Sequence, residues 1–157
     1  MEDHKNPSEA NRFRVEDSVG FLIGRLKARM AMALDSELLE LDITHAQWVI
    51  LVRIANGLGR TASELCRCAQ CDTGSMTRML DRLEEKQLIV RERSEEDRRI
   101  VEIKLTEHGQ ALYPALLEAG DLLFARMRGG FSDAEIDQLK QTLRRMCDNL
   151  DPNEVAE

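Results

Sequence analysis

Three cysteines, Cys66, Cys68 and Cys71, form the densest group of chemically reactive side chains in the sequence. Their C-x-C-x2-C spacing could serve metal binding or reversible oxidation, because thiolates bind soft metals and oxidise readily. Cys66 and Cys68 lie about 200° apart around the axis of a predicted helix, which disfavours a shared ion. No histidine lies nearby to complete a zinc site. Small buried side chains are the favoured interpretation, and a thiol that senses oxidation is the alternative.

One arginine group lies on a predicted helix. Ser75, Arg78 and Arg82 are placed by helical spacing on the face opposite an apolar stripe. A guanidinium can pair with the O6 and N7 of guanine or with phosphate, and a serine hydroxyl suits phosphate or a base edge. Within a helix-turn-helix, this pattern indicates a DNA-binding face. The alternative is a solvated surface helix in which the two arginines pair with Asp81 and Glu85.

A second basic group lies in the charged stretch between two predicted strands. Arg98 and Arg99 follow Asp97 there. A charged hairpin beside a helix-turn-helix can reach the neighbouring DNA backbone. These residues therefore favour a DNA contact at a hairpin tip, and an ordinary charged turn is the alternative.

The remaining chemistry-bearing residues show no pattern of an enzyme. The sequence holds no Gly-x-Ser-x-Gly motif, no phosphate-binding loop and no paired carboxylates with independent support. The three histidines are far apart and lack metal spacing. We therefore expect a protein that is not an enzyme and uses no metal or cofactor.

Helical and strand periods predict the elements that position these residues. Capping patterns at Thr44, Thr61 and Ser132, each with Glu or Gln three residues later, mark three helix starts. The predicted helices cover residues 15–38, 44–55, 61–69, 72–86 (capped by Asp72 or Thr73), 106–128 and 132–150, and the predicted strands cover 88–93 and 100–105. Helix, short turn, helix and charged hairpin predict a mainly α fold with a small β-hairpin wing, a winged helix-turn-helix.

Composition limits the classes of protein further. A chain of 157 residues fits one domain. The net charge is −7, but residues 60–106 carry ten Lys or Arg against ten Asp or Glu, so a polyanion would meet this neutral segment. The longest apolar run, 48–52, is too short to span a membrane. Residues 1–13 are expected to form a mobile arm rather than a signal peptide. The four cysteines are too few and too clustered for a disulfide scaffold, which indicates a reducing cytoplasm.

The segment DTGSMTRMLDRLEEKQLIVRERSEEDRRIVEIKLTEHG, residues 72–109, resembles the core of the MarR family of bacterial transcriptional regulators. The resemblance extends over about residues 15–150. It implies one domain over 14–150, with a DNA-binding region at 44–106 and dimerisation helices at 14–40 and 107–150. It also implies that Arg99 enters a minor groove while Asp97 holds its side chain. Gln87 departs from the family, which usually has glycine there, so either Gln87 adopts a strained left-handed cap or the helix ends differently.

The resemblance implies a homodimer that represses transcription from a pseudo-palindromic operator and is released by a small aromatic or phenolic ligand. Apolar positions expected to need a partner chain are Leu22, Leu26, Met30, Leu116, Leu123, Leu139 and Leu143. Pro114 should bend the fifth helix without ending it.

Three residues are candidates for the ligand pocket. Trp48 could supply an aromatic wall, and Arg29 and His45 could bind a carboxylate or phenolate. Each has an alternative interpretation as a core or surface residue. Two alternatives to the whole function remain: a regulator of the same fold switched by thiol oxidation, and a dimeric interaction module that does not bind DNA.

Overall fold

The computed structural model describes residues 15–69 and 71–150, where the chain forms six α-helices and one antiparallel hairpin. The helices are α1 (Val19–Glu37), α2 (His45–Ala55), α3 (Ala62–Ala69), α4 (Thr73–Glu85), α5 (Glu107–Arg128) and α6 (Asp133–Asp148), and the strands are β1 (Ile89–Arg93) and β2 (Val101–Leu105). The mainly α fold with a hairpin wing is confirmed. The predicted arm at 1–13 and the tail from Pro152 lie outside the described residues.

The predicted helix starts are confirmed by their capping hydrogen bonds. Thr44 and Ser132 each form a reciprocal capping box with the residue three positions later, which satisfies backbone N–H groups that a helix start leaves unpaired. Of the two candidates for the start of α4, Asp72 is the cap. The first helix begins later than predicted, because Ser18 caps α1 after a short 3-10 helix at Val15–Asp17.

The chain divides into two compact units, and the boundary along the sequence falls between Ala119 and Gly120. The core of the first unit is formed by apolar side chains from α1 to α5 and the hairpin. Its fully buried members are Leu38, Ile50, Leu51, Leu65, Met76, Leu80, Leu83, Ile89 and Leu116. Each such side chain stabilises the fold by about 1.5 to 3 kcal/mol through burial, so α3, α4 and the hairpin are held on one common core.

The hairpin joins α5 through a tight junction. Its register pairs Ile89 with Leu105, and the N–H of Thr106 then donates to the carbonyl of Leu88. A Cβ at Gly109 would lie 2.1 Å from the Leu88 carbonyl oxygen, so only glycine fits there. This contact explains the glycine in the Leu-Thr-Glu-x-Gly motif.

Helix α5 is continuous, and part of its apolar stripe is buried. Helix α5 spans Glu107–Arg128 and, as expected, does not end at Pro114. The expectation that Leu116 and Leu123 need a partner chain is wrong, because they are only 1% and 4% exposed within the single chain. A helical stripe shows which face is apolar, but it does not show whether the same chain already covers that face.

None of the helices in residues 15–69 and 71–150 has the length and apolar character that crossing a membrane requires.

Candidate nucleic-acid interface

Helices α3 and α4 and the turn between them form the helix-turn-helix, and α4 presents one apolar and one polar face. Met76 and Leu80 are buried, while Arg78 and Arg82 are exposed on the opposite side and Ser75 is half-buried. The structure therefore places the three predicted residues on the face that the core leaves open.

A chain of hydrogen bonds orders the first turns of α4. Asp72 accepts the backbone N–H of Ser75 at 2.9 Å and the Ser75 hydroxyl at 2.6 Å. Arg78 Nη2 in turn donates to the Ser75 Oγ at 3.3 Å. The hydrogen bonds from Ser75 hold the pKa of Asp72 below its ordinary value, and the charge of Arg78 adds to this effect. Ser75 therefore positions Arg78 in the free protein, a role that the helical spacing alone did not indicate.

Helix α4 ends in a left-handed cap at Gln87. Its φ is +56°, which is the left-handed region. The N–H of Gln87 donates to the carbonyl of Glu84, and the N–H of Leu88 donates to that of Leu83. These two bonds define a Schellman cap, in which glycine is the usual residue. Gln87 therefore adopts the strained conformation, at a cost of about 1 kcal/mol.

The tip of the hairpin is a hydrogen-bonded turn that carries the two predicted arginines. The N–H of Ile100 donates to the Asp97 carbonyl at 2.9 Å, so Arg98 and Arg99 occupy the two central positions, with exposed side chains. Asp97 Oδ1 accepts the backbone N–H of Arg99 at 2.9 Å. Among the described residues no ion pair joins the Asp97 carboxylate to the Arg99 guanidinium, so Asp97 holds the turn rather than the arginine side chain.

Several carboxylates of α4 and the hairpin form ion pairs within the protein. Arg91 of β1 bonds Asp81 and Glu84 of α4, with Nη2–Oδ1 and Nη1–Oε2 distances of 2.6 and 3.2 Å. Lys104 pairs with Glu92 at 3.1 Å, and this pair raises the pKa of Lys104. Neither Arg91 nor Lys104 is therefore a free cation. The position of Asp81 and Glu84, three residues apart on α4, is the sequence signal that could have indicated a partner for Arg91.

What remains at the surface is a cationic set. The exposed arginines that form no ion pair among the described residues of α4 and the hairpin are Arg78, Arg82, Arg93, Arg98 and Arg99. The segment is neutral by count, yet its acids at Asp81, Glu84 and Glu92 are occupied. Arg91 and Lys104 are occupied by the same ion pairs, so the net charge is unchanged, and the unpaired arginines are the charges available to a polyanion.

Two of the three candidate effector residues have other partners in the structure. The Trp48 indole N–H donates to the Leu116 carbonyl at 2.7 Å, which ties α2 to α5. The His45 backbone N–H donates to Asp35, and its Nδ1 lies 3.8 Å from that carboxylate. Arg29 is exposed on α1. No hydrogen bond or ion pair within the described part of the chain joins Arg29, His45 and Trp48.

Two clefts lie within the first unit. The larger, of about 660 Å³, lies between the end of α2, β2 and the start of α5, and its polar side chains are Arg60, Glu102, Lys104, Gln110 and Tyr113. The smaller, of about 250 Å³, lies between the starts of α2 and α4 and is lined by Ser75, Arg78 and Arg82 among others. Neither is lined by the three candidate effector residues.

Cys66 and Cys71 lie at the end of α3, and Cys147 lies on α6. Cys66 and Cys71 are half-buried, Cys147 is exposed, and all three are free thiols. Within residues 15–69 and 71–150, no group of three or more His, Cys, Asp or Glu side chains is placed to hold a metal ion.

Comparisons with known proteins agree on one family. The family model described as MarR family matches residues 43–101. The organic hydroperoxide resistance transcriptional regulator of Bacillus subtilis is 30% identical over 141 residues, which cover 89% of this chain and 94% of that protein. A cysteine-to-serine mutant of MarR from E. coli complexed with operator DNA superimposes with a TM-score of 0.77 at 30% identity, over 87% of this chain and 99% of that one. CouR from Rhodococcus jostii bound to p-coumaroyl-CoA shares the fold, with a TM-score of 0.77 at 24% identity over 86% of this chain and 95% of that one.

The fold and the exposed face of α4 define a winged helix-turn-helix protein. The chain belongs to the MarR family of transcriptional regulators. It is a regulator of transcription and not an enzyme.

Proposed function

We propose that this protein is a homodimeric, sequence-specific DNA-binding repressor whose α4 enters a major groove while the hairpin tip reaches the adjacent minor groove. The observation that carries the proposal is the set of unpaired, exposed arginines on α4 and at the tip of the hairpin, in a segment whose acids are partly occupied by internal ion pairs. Arg78 and Arg82 are the base and phosphate contacts of α4, with Ser75 beside them. Arg98 and Arg99 are the contacts of the hairpin, with Asp97 holding the turn.

The energetic demand on these residues is moderate. A guanidinium that pairs bidentately with guanine contributes about 1 to 3 kcal/mol of discrimination. Contacts to phosphates position the protein on the duplex and make its affinity depend on salt. A net charge of −7 is compatible with this, because 19 of the 29 acids lie outside residues 60–106.

Dimerisation is supported by the apolar surface outside the helix-turn-helix. Leu22 and Leu26 on α1 are 51% and 46% exposed, and Leu139 on α6 is 50% exposed. Apolar side chains at helical spacing rarely stay in water over so long a helix. A second copy that covers the regions 14–40 and 107–150 would bring two α4 helices to consecutive major grooves about 34 Å apart on a pseudo-palindrome.

The test of DNA binding is a band shift with the DNA upstream of the protein's own gene, repeated from 50 to 200 mM salt. A dimer that contacts about 6 to 10 phosphates should lose roughly 10³- to 10⁵-fold in affinity across that range. A single shifted species with this steep dependence supports the proposal. A flat salt profile, or no shifted species, would favour the dimeric interaction module instead.

Release by a small aromatic or phenolic ligand is the second part of the proposal. The observation that favours it is the cleft of about 660 Å³, a volume within the usual range of ligand sites. Arg60 and Tyr113 would contact a ligand there, whereas Arg29, His45 and Trp48 would contact one at the position predicted from the sequence. To release DNA about a hundredfold, a ligand must prefer the released state by roughly 2.7 kcal/mol.

A panel of benzoates and phenols, titrated into the DNA complex, distinguishes the two positions. If release is weakened by Arg60→Ala and Tyr113→Phe but not by Arg29→Ala, His45→Ala and Trp48→Phe, the ligand binds in the cleft. The reverse pattern supports the position predicted from the sequence. If no compound releases DNA, the ligand-responsive part of the proposal is wrong and the DNA-binding part is unaffected.

A further inference from the structure

Cys66 and Cys71 meet at the end of α3, although they are five residues apart in the sequence. The N–H of Cys71 donates to the carbonyl of Cys66 at 3.3 Å. The bond folds the backbone of Cys71 back against the end of α3. The helical wheel, which considers only positions inside α3, does not reveal this pair.

The side chains confirm the proximity. The Cys66 thiol donates a hydrogen bond to the Cys71 carbonyl oxygen. Burial raises the pKa of the Cys71 thiol, and its hydrogen bond with the Cys66 thiol raises it further. Both residues are half-buried and both are reduced. The two thiols are therefore close to one another, and both residues are partly exposed.

We propose that Cys66 and Cys71 form a dithiol site that low-molecular-weight disulfides oxidise to an intrachain disulfide, and that this disulfide weakens DNA binding. The first half of the proposal is independent of DNA. Only the second half rests on the proposed function of α4.

The reaction proceeds by two thiol–disulfide exchanges. The Cys66 sulfur, as thiolate, attacks one sulfur of the small disulfide. The S–S bond breaks, one small thiolate leaves and takes up a proton, and a mixed disulfide remains on Cys66. Cys71 then loses its proton and attacks the Cys66 sulfur, and the second small thiol leaves. Two protein thiols and one small disulfide thus give one protein disulfide and two small thiols.

Cys66 is the attacking thiol and Cys71 the resolving one. The raised pKa of Cys71 keeps its thiol protonated near neutral pH, and thiolate is the nucleophile in such exchanges. The mixed disulfide places a good leaving group beside Cys71, which can then attack despite its low thiolate fraction.

The effect on DNA follows from the position of Cys71, which directly precedes the helix cap Asp72. A disulfide requires a specific dihedral angle and a Cβ–Cβ distance of about 3.5 to 4.5 Å. The Cys66 sulfur must then leave the Cys71 carbonyl, and the backbone before Asp72 must adjust. Asp72 holds Ser75, and Ser75 holds Arg78, so the adjustment displaces a proposed DNA contact.

The test begins with the covalent product, using glutathione disulfide as the probe on the full chain. Trypsin cleaves after Arg67, between the two cysteines. Oxidised wild type and the Cys68→Ser control should therefore yield residues 61–67 linked to residues 68–78. Cys71→Ser should retain glutathione on Cys66, whereas Cys66→Ser should not accumulate glutathione on Cys71. Loss of the linked peptides in Cys68→Ser, or crosslinking between chains instead of within one, would overturn the dithiol site.

The second readout is DNA affinity before and after oxidation. Oxidation should weaken binding at least fivefold in wild type and in the Cys68→Ser and Cys147→Ser controls, and dithiothreitol should restore it. Cys66→Ser, which should accumulate neither the disulfide nor a glutathione adduct at this site, should bind equally before and after treatment. A linked peptide without a change in affinity would overturn the regulatory half of the proposal. If the reduced wild type binds no DNA at all, the proposed function fails, while the peptide map still decides the dithiol site.

Discussion

Arg91 on β1 bonds Asp81 on α4, with 2.6 Å between Nη2 and Oδ1. The same guanidinium reaches Glu84, one turn further along α4. The hairpin and the proposed recognition helix are thus connected by a side-chain clamp as well as by the chain between them. The clamp fixes the hairpin relative to α4, and both would have to contact the same stretch of DNA.

Arg91→Ala should destabilise the protein and weaken DNA binding together. The three side chains are partly exposed, so the expected loss in the free energy of unfolding is about 1 kcal/mol. Urea unfolding followed by circular dichroism measures it. Arg93→Ala is the matched control, since Arg93 is exposed on the same strand and should affect DNA binding alone. Equal losses of stability in both variants would show that the clamp does not stabilise the fold.

Gln87→Gly should stabilise the protein by about 1 kcal/mol, because glycine adopts a positive φ without steric cost. In a domain of this size the melting temperature should rise by about 2 to 4 °C. Gln87→Ala is the control, since it shortens the side chain and keeps the strained backbone. A rise of the same size in the alanine variant would mean that the side chain, and not the φ of +56°, is the source of the cost.

The charge of Asp72 should contribute to stability only above acidic pH. Its pKa is lowered from the ordinary value of 3.8, so the contribution is fully present above that value and is lost as the pH falls through the folded-state pKa. Asp72→Asn should therefore be less stable than wild type at pH 7 and at pH 5, and the difference should shrink below about pH 4. Urea unfolding at each pH measures it. A difference that stays constant down to pH 3 would exclude the charge as its cause.

Leu26→Asp should prevent dimerisation, because it puts a charge on the exposed apolar face of α1. Sedimentation equilibrium should show a dimer for wild type and a monomer or unfolded chain for the variant. The matched control is Leu58→Asp, since Leu58 is 60% exposed in the loop after α2 and should leave the dimer intact. A wild-type chain that is a folded monomer at micromolar concentration would contradict the dimer.

The helices and their caps could be predicted from the sequence because their determinants are local. The Thr44 and Ser132 boxes each need only two residues three positions apart, and the spacing of Met76 and Leu80 shows which face of α4 meets the core. The same spacing left Arg78 and Arg82 as the open face. The family resemblance left two alternatives at Gln87, a strained left-handed cap or a different helix end, and the structure shows the cap.

The contacts between elements could not be predicted in this way. The partner of Arg91 lies on another element, and the Asp97 carboxylate binds a backbone N–H rather than the expected guanidinium. The burial of Leu116 depends on which elements pack on α5. The contact between Cys66 and Cys71 was not predicted, because Cys71 lies beyond the predicted helix and the contact arises only where α3 ends.

The affinity of Arg99→Ala for a labelled DNA fragment that the wild type binds tests the central claim most directly. Arg99 lies at the exposed tip of the hairpin and forms no ion pair within the described residues, so its loss should leave fold and dimer unchanged. Fluorescence anisotropy at moderate salt should show binding weaker by about 5- to 100-fold, which corresponds to about 1 to 3 kcal/mol. Lys140→Ala, which removes the same charge from α6, should bind as the wild type does. Unchanged affinity in Arg99→Ala, with the dimer intact, would contradict the assignment of the hairpin to DNA.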